Sequence, residues 1–254
     1  MTEQRSFRVE AVVLNHANWG EADRLLTLYT RERGKVRAVA KGARRIKSRK
    51  AGHLEPFTRV TLQLAKGRDL FIVTQAETLE SYLPIRESLE KTSQAAYLSE
   101  LLDRFTYEDE SENHNIFRLL TETMGRIENE DNPWLAIRFY EVHLLDLLGY
   151  KPHLFECANC GEEIQAVDQF FSPAAGGVLC PRCGAGLPGA RRVSMEAIKY
   201  LRHFQRSDYT GAKQAHPDPE IQDEVESLLQ HYVTYLLERK LNSPTFLKQI
   251  RSRT

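Results

Sequence analysis

The 254-residue chain is poor in the features that mark membrane and secreted proteins. Its apolar runs are too short or too charged to span a bilayer. The N-terminus, MTEQRSFRVE, has no basic segment followed by an apolar one, which is the pattern of a secretory signal. We therefore expect a cytosolic protein that does not contact a membrane.

Catalytic motifs are also scarce. The chain contains no P-loop lysine motif, no H-E-x-x-H and no G-x-S-x-G, and its eight histidines are scattered. One match to G-x-G-x-x-G, GAGLPG at residues 184–189, contains a proline and has no hydrophobic strand before it. The dinucleotide fingerprint needs a strand-to-helix turn, so we interpret this match as a loop. The expectation is a protein that is not an enzyme.

The charge is neutral in total but uneven along the chain. There are 35 basic and 35 acidic residues, and a content of 41% hydrophobic and 28% charged residues is that of an ordinary folded protein. Residues 1–80 hold 16 basic against 9 acidic residues, whereas residues 81–150 hold 6 against 14. This asymmetry indicates either different partners for different modules or attraction between a basic barrel and acidic helices.

The first 80 residues have the pattern of β-strands. Val60, Leu62 and Leu64 alternate with polar residues, which is the period of a half-buried strand. A tight hairpin is predicted at residues 65–69, around Gly67. Five short strands in this length predict a small closed barrel such as the OB-fold. The predicted strands are residues 7–14, 25–30, 35–41, 57–66 and 69–79.

Helical patterns dominate the rest of the chain. Between Asn132, a predicted N-cap followed by Pro133, and Gly149, the residues are apolar around most of a helix, which predicts a buried central helix. Ser194 is predicted to cap another helix. The fold class is therefore α+β and multidomain, with an N-terminal barrel and a C-terminal helical bundle. The predicted segments are the barrel at 1–80, helices at 81–152, a cysteine-containing insert at 153–192 and further helices at 193–254.

All four cysteines lie in two Cys-x-x-Cys pairs. The pairs are CANC and CPRC, each is followed by a glycine, and 19 residues separate them. This spacing is typical of a four-cysteine zinc site, although two disulfides or a redox pair remain alternatives. Four thiolates would fill the coordination shell, so we expect one structural Zn²⁺ per chain. The predicted ligands are Cys157, Cys160, Cys180 and Cys183.

The basic residues are densest between strands three and four of the predicted barrel. Residues 31–50 contain ten Lys or Arg and a single acid, Glu32. Basic loops beside a barrel face are where OB-folds follow a phosphate backbone, with affinity that depends steeply on salt. A solvated loop without a partner is the alternative, and a nuclear tag is less attractive because the run lies between strands.

Several segments resemble one protein family. In chain order they are WGEADRLLTLYTRERGKVRAVAKGARRIKSR (19–49), LEPFT (54–58), RFYEVHLLDLLGYKP (138–152), FFSPAAGGVLCPRC (170–183) and RKLNSPTFL (239–247). Together they resemble the RecO family of bacterial recombination mediators over almost the full length. The resemblance implies an OB-fold, a helical domain and a zinc-finger-like insert.

The resemblance also implies partners. RecO-like proteins bind single- and double-stranded DNA, anneal complementary strands, bind the acidic C-terminal tail of single-strand-binding protein (SSB), and act with RecR to load RecA. An RNA-binding protein and a purely structural SSB–RecR adaptor remain alternatives. Trp19 and residues 23–28 also match the family, and we interpret them as barrel-folding residues.

Two sets of cations are the predicted contact residues. The phosphate contacts are expected from Lys35, Arg37, Lys41, Arg44, Arg45, Lys47, Arg49 and Lys50. The SSB tail needs a cation beside an apolar groove, and the candidates are Arg138, Lys151, Arg202 and Arg206.

Overall fold

In the computed structural model, residues 6–108 and 114–237 are described. These residues form two compact units, and the boundary lies between Asp131 and Asn132. The predicted helical segment at 81–152 is therefore divided between the two units. The last resembling segment, at 239–247, lies outside the described residues.

A five-stranded closed barrel forms the larger part of the first unit. Its strands are β1 (Ser6–Trp19), β2 (Asp23–Thr30), β3 (Gly34–Ala40), β4 (Arg59–Ala65) and β5 (Phe71–Glu80), in the order β1-β2-β3-β5-β4. The β3–β5 pair is parallel and the other pairs are antiparallel. The prediction of five strands in these positions is confirmed, because period-two sequences place one face of each strand in a common core.

The barrel core follows that alternation. On β4, Val60, Leu62 and Leu64 are fully buried, while the residues between them are half-buried. β1 is longer than the barrel requires, and its last residues pair with β2 as a hairpin that ends at the Trp19–Asp23 pair.

A short 3₁₀ helix (Ala51–Leu54) lies between β3 and β4 and buries Leu54. The described residues of this unit also form the helices α1 (Leu83–Glu87), α2 (Leu89–Phe105) and α3 (His114–Asn129).

The second unit is built around an apolar helix, α4 (Trp134–Leu147), as predicted. Its start differs by one residue from the prediction: Pro133 occupies the cap position, and the side chain of Asn132 accepts a hydrogen bond from the Trp134 N–H at 3.2 Å. Its end is as predicted, because Gly149 has φ +81° and the Tyr150 N–H donates to the Leu145 carbonyl.

Up to residue 237, where the description of this unit ends, its other elements are a small sheet and four helices. β6 (Gln169–Ser172) lies between β7 (Gly177–Leu179) and β8 (Arg191–Val193). The helices are α5 (Pro181–Gly184), α6 (Met195–Arg206), α7 (Tyr209–Ala212) and α8 (Pro219–Leu236). Ser194 caps α6 as predicted, since its side chain accepts from the Ala197 N–H. None of the helices described has an apolar stretch of the length that a bilayer span requires.

Candidate metal centre and nucleic-acid interface

The four cysteines converge on one point. Their Sγ atoms all lie within 4.8 Å of one another, and those of Cys160 and Cys180 are 3.9 Å apart. A tetrahedral centre with metal–sulfur bonds of about 2.3 Å requires sulfurs about 3.8 Å apart. All four thiols are free, so the disulfide alternative does not describe this arrangement. The residues present therefore fit a four-thiolate metal site.

The two Cys-x-x-Cys turns place the sulfurs by different means. Gly161 has φ +74°, a conformation that disfavours other residues, and its N–H donates to the Cys157 carbonyl. Gly184 is needed for space, because a Cβ there would lie 2.4 Å from the Cβ of Phe170 on β6. The second turn is α5 itself, in which the Cys183 and Gly184 N–H groups donate to the Cys180 carbonyl. Both glycines after the cysteine pairs thus have a structural cause.

The sulfurs differ in how readily they ionise. Burial raises the pKa of the Cys157 thiol, but backbone N–H donors, chiefly those of Cys160 and Cys180, outweigh this effect and lower the pKa to about 6. Burial and the neighbouring thiols raise the pKa of Cys180 to about 11. Four adjacent thiolates repel one another, and a divalent cation bound to all four would remove that repulsion.

The basic loop, residues 41–50 between β3 and β4, is held against the turn between β1 and β2. The Gly42 N–H donates to the Asp23 carboxylate at 2.7 Å, and the Arg44 N–H donates to the Ala22 carbonyl at 2.9 Å. The Arg44 guanidinium donates to the Glu21 carbonyl at 3.2 Å. The loop therefore has a defined position on the barrel although it contains no regular strand or helix.

Five cations of the basic loop face solvent. Within residues 6–108 and 114–237, none of the five pairs with a carboxylate. They are Lys41, Arg44, Arg45, Lys47 and Arg49. Cations without an acidic partner keep their full charge available for an external anion.

The other three predicted phosphate contacts are already engaged. Lys35 lies 2.6 Å from the Asp103 carboxylate on α2, and its Nζ also donates to the Thr106 carbonyl. Arg37 lies 3.8 Å from Glu108. The Nζ of Lys50 donates to the Val73 carbonyl, and burial lowers its pKa. The ammonium groups of Lys35 and Lys50 already make contacts within this unit. A phosphate would have to compete with these contacts.

The predicted tail-binding cations lie in different surroundings. Arg138 is only 4% exposed and lies 3.1 Å from Glu141, which is fully buried. A rim cation for an incoming peptide must reach solvent, so the assignment of Arg138 is corrected. Lys151 is exposed and pairs with Asp146 at 2.8 Å.

We expect Arg138→Met to destabilise the second unit. The exchange leaves the buried Glu141 carboxylate without this partner, which costs about 3 kcal/mol of unfolding free energy. Lys151→Ala is the matched control, since an exposed pair contributes less than about 1 kcal/mol. Urea unfolding monitored by circular dichroism measures both variants. Equal midpoints for the two would contradict a structural role for Arg138.

Arg202 and Arg206 share an aromatic partner. Their guanidinium groups lie 4.9 Å and 3.9 Å from the centre of the Phe155 ring. Arg202 donates two hydrogen bonds to the Leu154 carbonyl, whereas Arg206 is exposed. An exposed guanidinium beside an aromatic ring is the kind of surface that an acidic peptide with an aromatic end requires.

Comparison with known proteins identifies the family. The family model described as "Recombination protein O N terminal" matches residues 1–82, and the one described as "Recombination protein O C terminal" matches residues 86–245. The chain belongs to the RecO family. Relatives named "DNA repair protein RecO" match it over most of both chains. The one from Roseiflexus sp. is 41% identical over 97% of this chain and 87% of its own. The one from Symbiobacterium thermophilum is 36% identical over 97% of this chain and 98% of its own.

The relatives are named as DNA repair proteins, and both sites described above lie within the parts of this chain that match the family. The four cysteines are the ones that the sequence predicted, and the structure brings all of them together. The sequence favours a barrel-folding role for Trp19. The structure does not support that interpretation, because 49% of the Trp19 surface is exposed at the end of the β1–β2 hairpin. The register in which β1 pairs with β2 shifts between Val13 and Asn15, and the residues of β1 from Asn15 onward are exposed or half-buried.

Proposed function

We propose that this RecO-family protein is a non-enzymatic recombination mediator that binds single- and double-stranded DNA and anneals complementary strands. The observation that carries the proposal is the basic loop with its five solvent-facing cations on a closed barrel. The barrel is then an OB-fold, which is supported by its five strands and their order. Lys and Arg side chains at such a loop bind phosphates and release condensed counterions, without regard to base sequence.

Annealing follows from the same charges. Two complementary strands repel each other as polyanions, and cations that bind both strands reduce this repulsion and raise their effective concentration. No covalent step and no nucleotide are needed. The protein then acts in the bacterial cytosol.

The metal is proposed to be Zn²⁺, because four thiolates in a closed tetrahedral set favour it. The proposed role of the ion is structural. It would link the segment before β6, which holds Cys157 and Cys160, to the turn at α5, which holds Cys180 and Cys183. Zinc would stabilise the fold of residues 153–192, and the chain's own backbone donors orient the sulfurs.

The proposed protein partners are the SSB tail, RecR and, through them, RecA. For the tail we propose the surface around Arg206 and Phe155, with Arg202 behind it. This choice is supported by the exposure of Arg206 beside the half-buried ring. An acidic tail would pair with the guanidinium while its apolar end contacts the ring.

A strand-annealing assay tests the proposed function. Complementary fluorescent oligonucleotides should anneal faster with the protein and without ATP, and the acceleration should fall steeply as salt rises, because counterion release drives binding. Absence of acceleration at low salt, with the SSB tail still bound, would instead favour the structural adaptor. Acceleration confined to RNA strands would favour the RNA-binding alternative.

A further inference from the structure

Trp19 is an exposed aromatic residue at the end of a β-hairpin. It is the last residue of β1, it pairs across the hairpin with Asp23, and 49% of its surface is exposed. The chain has two tryptophans, and the other, Trp134, is 8% exposed. Exposing a large indole ring forfeits hydrophobic stabilisation, since burying apolar surface is worth about 25 cal/mol per Å². Folding alone does not explain its position.

The hairpin turn that follows Trp19 is attached to the basic loop. Gly20 has φ +55° and begins this turn. The next three residues each supply a partner to the loop: the Glu21 and Ala22 carbonyls accept from Arg44, and the Asp23 carboxylate accepts from the Gly42 N–H. These contacts are 2.7–3.2 Å long. Trp19 is therefore adjacent in the chain to the segment that holds the basic loop.

The basic loop presents an apolar side chain of its own. Ile46 has a relative exposure of 105%, so it contacts almost nothing within the described residues. Its neighbours in sequence are Arg45 and Lys47, both exposed cations. This part of the barrel thus combines positive charge with exposed apolar surface. Phosphates complement the charge but leave the apolar surface uncovered.

We propose that Trp19 stacks on an unpaired base of single-stranded DNA whose phosphates are held by the basic loop. Unpaired nucleobases offer flat apolar faces, and aromatic side chains of single-strand-binding barrels stack on such faces regardless of base identity. In duplex DNA these faces are covered by neighbouring base pairs. Trp19 therefore gives the protein a preference for single strands, which the cations alone do not provide. Ile46 adds apolar contact on the loop side.

This inference rests on the proposed function, because the loop cations must hold the strand near Trp19. Affinities of the full-length protein for single-stranded and duplex DNA of equal length test it. Trp19→Ala should weaken single-strand binding on the order of tenfold and change duplex binding by less than about twofold. Trp19→Phe should restore most of the affinity, since it keeps an aromatic face. Tyr107→Ala is the matched control. Tyr107 is also an exposed aromatic residue of the same unit, but its neighbour in the chain is the acidic Glu108 and not the basic loop.

Tryptophan fluorescence distinguishes stacking from a purely structural role of Trp19, because a structural role would not make its emission respond to DNA. In a Trp134→Phe variant, Trp19 is the only tryptophan, and single-stranded DNA should quench its emission far more than duplex DNA. If this variant folds poorly, iodide quenching of the unmodified protein with and without oligonucleotide reports the same contact. Unquenched emission in the presence of saturating single-stranded DNA would overturn the proposal.

The outcomes separate this inference from the proposed function. Unchanged single-strand affinity in Trp19→Ala, together with weaker binding when loop cations are removed, would overturn the stacking role alone. Equal losses for single strands and duplex in a folded Trp19→Ala protein would also overturn it. A protein that binds neither form of DNA at low salt would overturn the proposed function itself.

Discussion

Removal of the proposed zinc ion is expected to unfold residues 153–192 while the barrel remains folded. The insert has little regular structure to hold the two cysteine turns together: the short strands β6 and β7, the first residues of β8 and the single-turn helix α5. Structural zinc contributes about 10–16 kcal/mol at neutral pH in small zinc modules, which exceeds the stability of such a segment without metal. The barrel has its own apolar core of residues from all five strands, and none of the cysteines belongs to it.

The measurement combines metal analysis with hydrogen exchange. Freshly purified protein should contain one zinc per chain, and a strong chelator should raise amide exchange in the insert but not in β1–β5. Cys157→Ser should have the same effect as the chelator, because it removes one of the four proposed zinc ligands. Asn159→Ala is a graded control, because its side chain donates to the Cys183 Sγ at 3.4 Å and is not a ligand; we expect about a tenfold loss of zinc affinity. Metal-free protein with four titratable thiols and a protected insert would refute the site.

Replacing the solvent-facing loop cations is expected to remove most of the DNA affinity. The variant changes Lys41, Arg45, Lys47 and Arg49 to Ala and retains Arg44, whose guanidinium holds the β1–β2 turn. Each lost phosphate contact on a single strand lowers the salt slope by about 0.7, so four contacts predict a loss on the order of several hundredfold at about 0.1 M salt.

Two controls locate the effect. Arg45→Lys with Arg49→Lys keeps the charge and should keep most of the affinity, because phosphate binding of this kind depends on charge. A second variant removes four exposed cations of the other unit, Arg191, Arg192, Lys199 and Lys213. If that variant loses as much DNA affinity as the loop variant, net charge rather than the loop explains binding.

Features that depend on residues close together in the chain could be predicted from the sequence. Period-two alternation located the five barrel strands, because one face of each strand must be buried. Ser194 and Gly149 located helix ends, because helix termini need partners for their N–H and C=O groups. The spacing of the four cysteines predicted that their sulfurs cluster, since a Cys-x-x-Cys turn directs two sulfurs to one point.

Which polar and aromatic side chains are available to a partner depends instead on the folded chain. Lys35 pairs with Asp103, which is 68 residues away in the chain, and Arg138 lies 3.9 Å from Glu226 on the separate helix α8. Trp19 is exposed because β1 extends past the barrel. Availability depends on long-range pairing and burial, which local sequence patterns do not encode. The density of basic residues could therefore be predicted from the sequence. Which of them lack an acidic partner could be seen only in the folded structure.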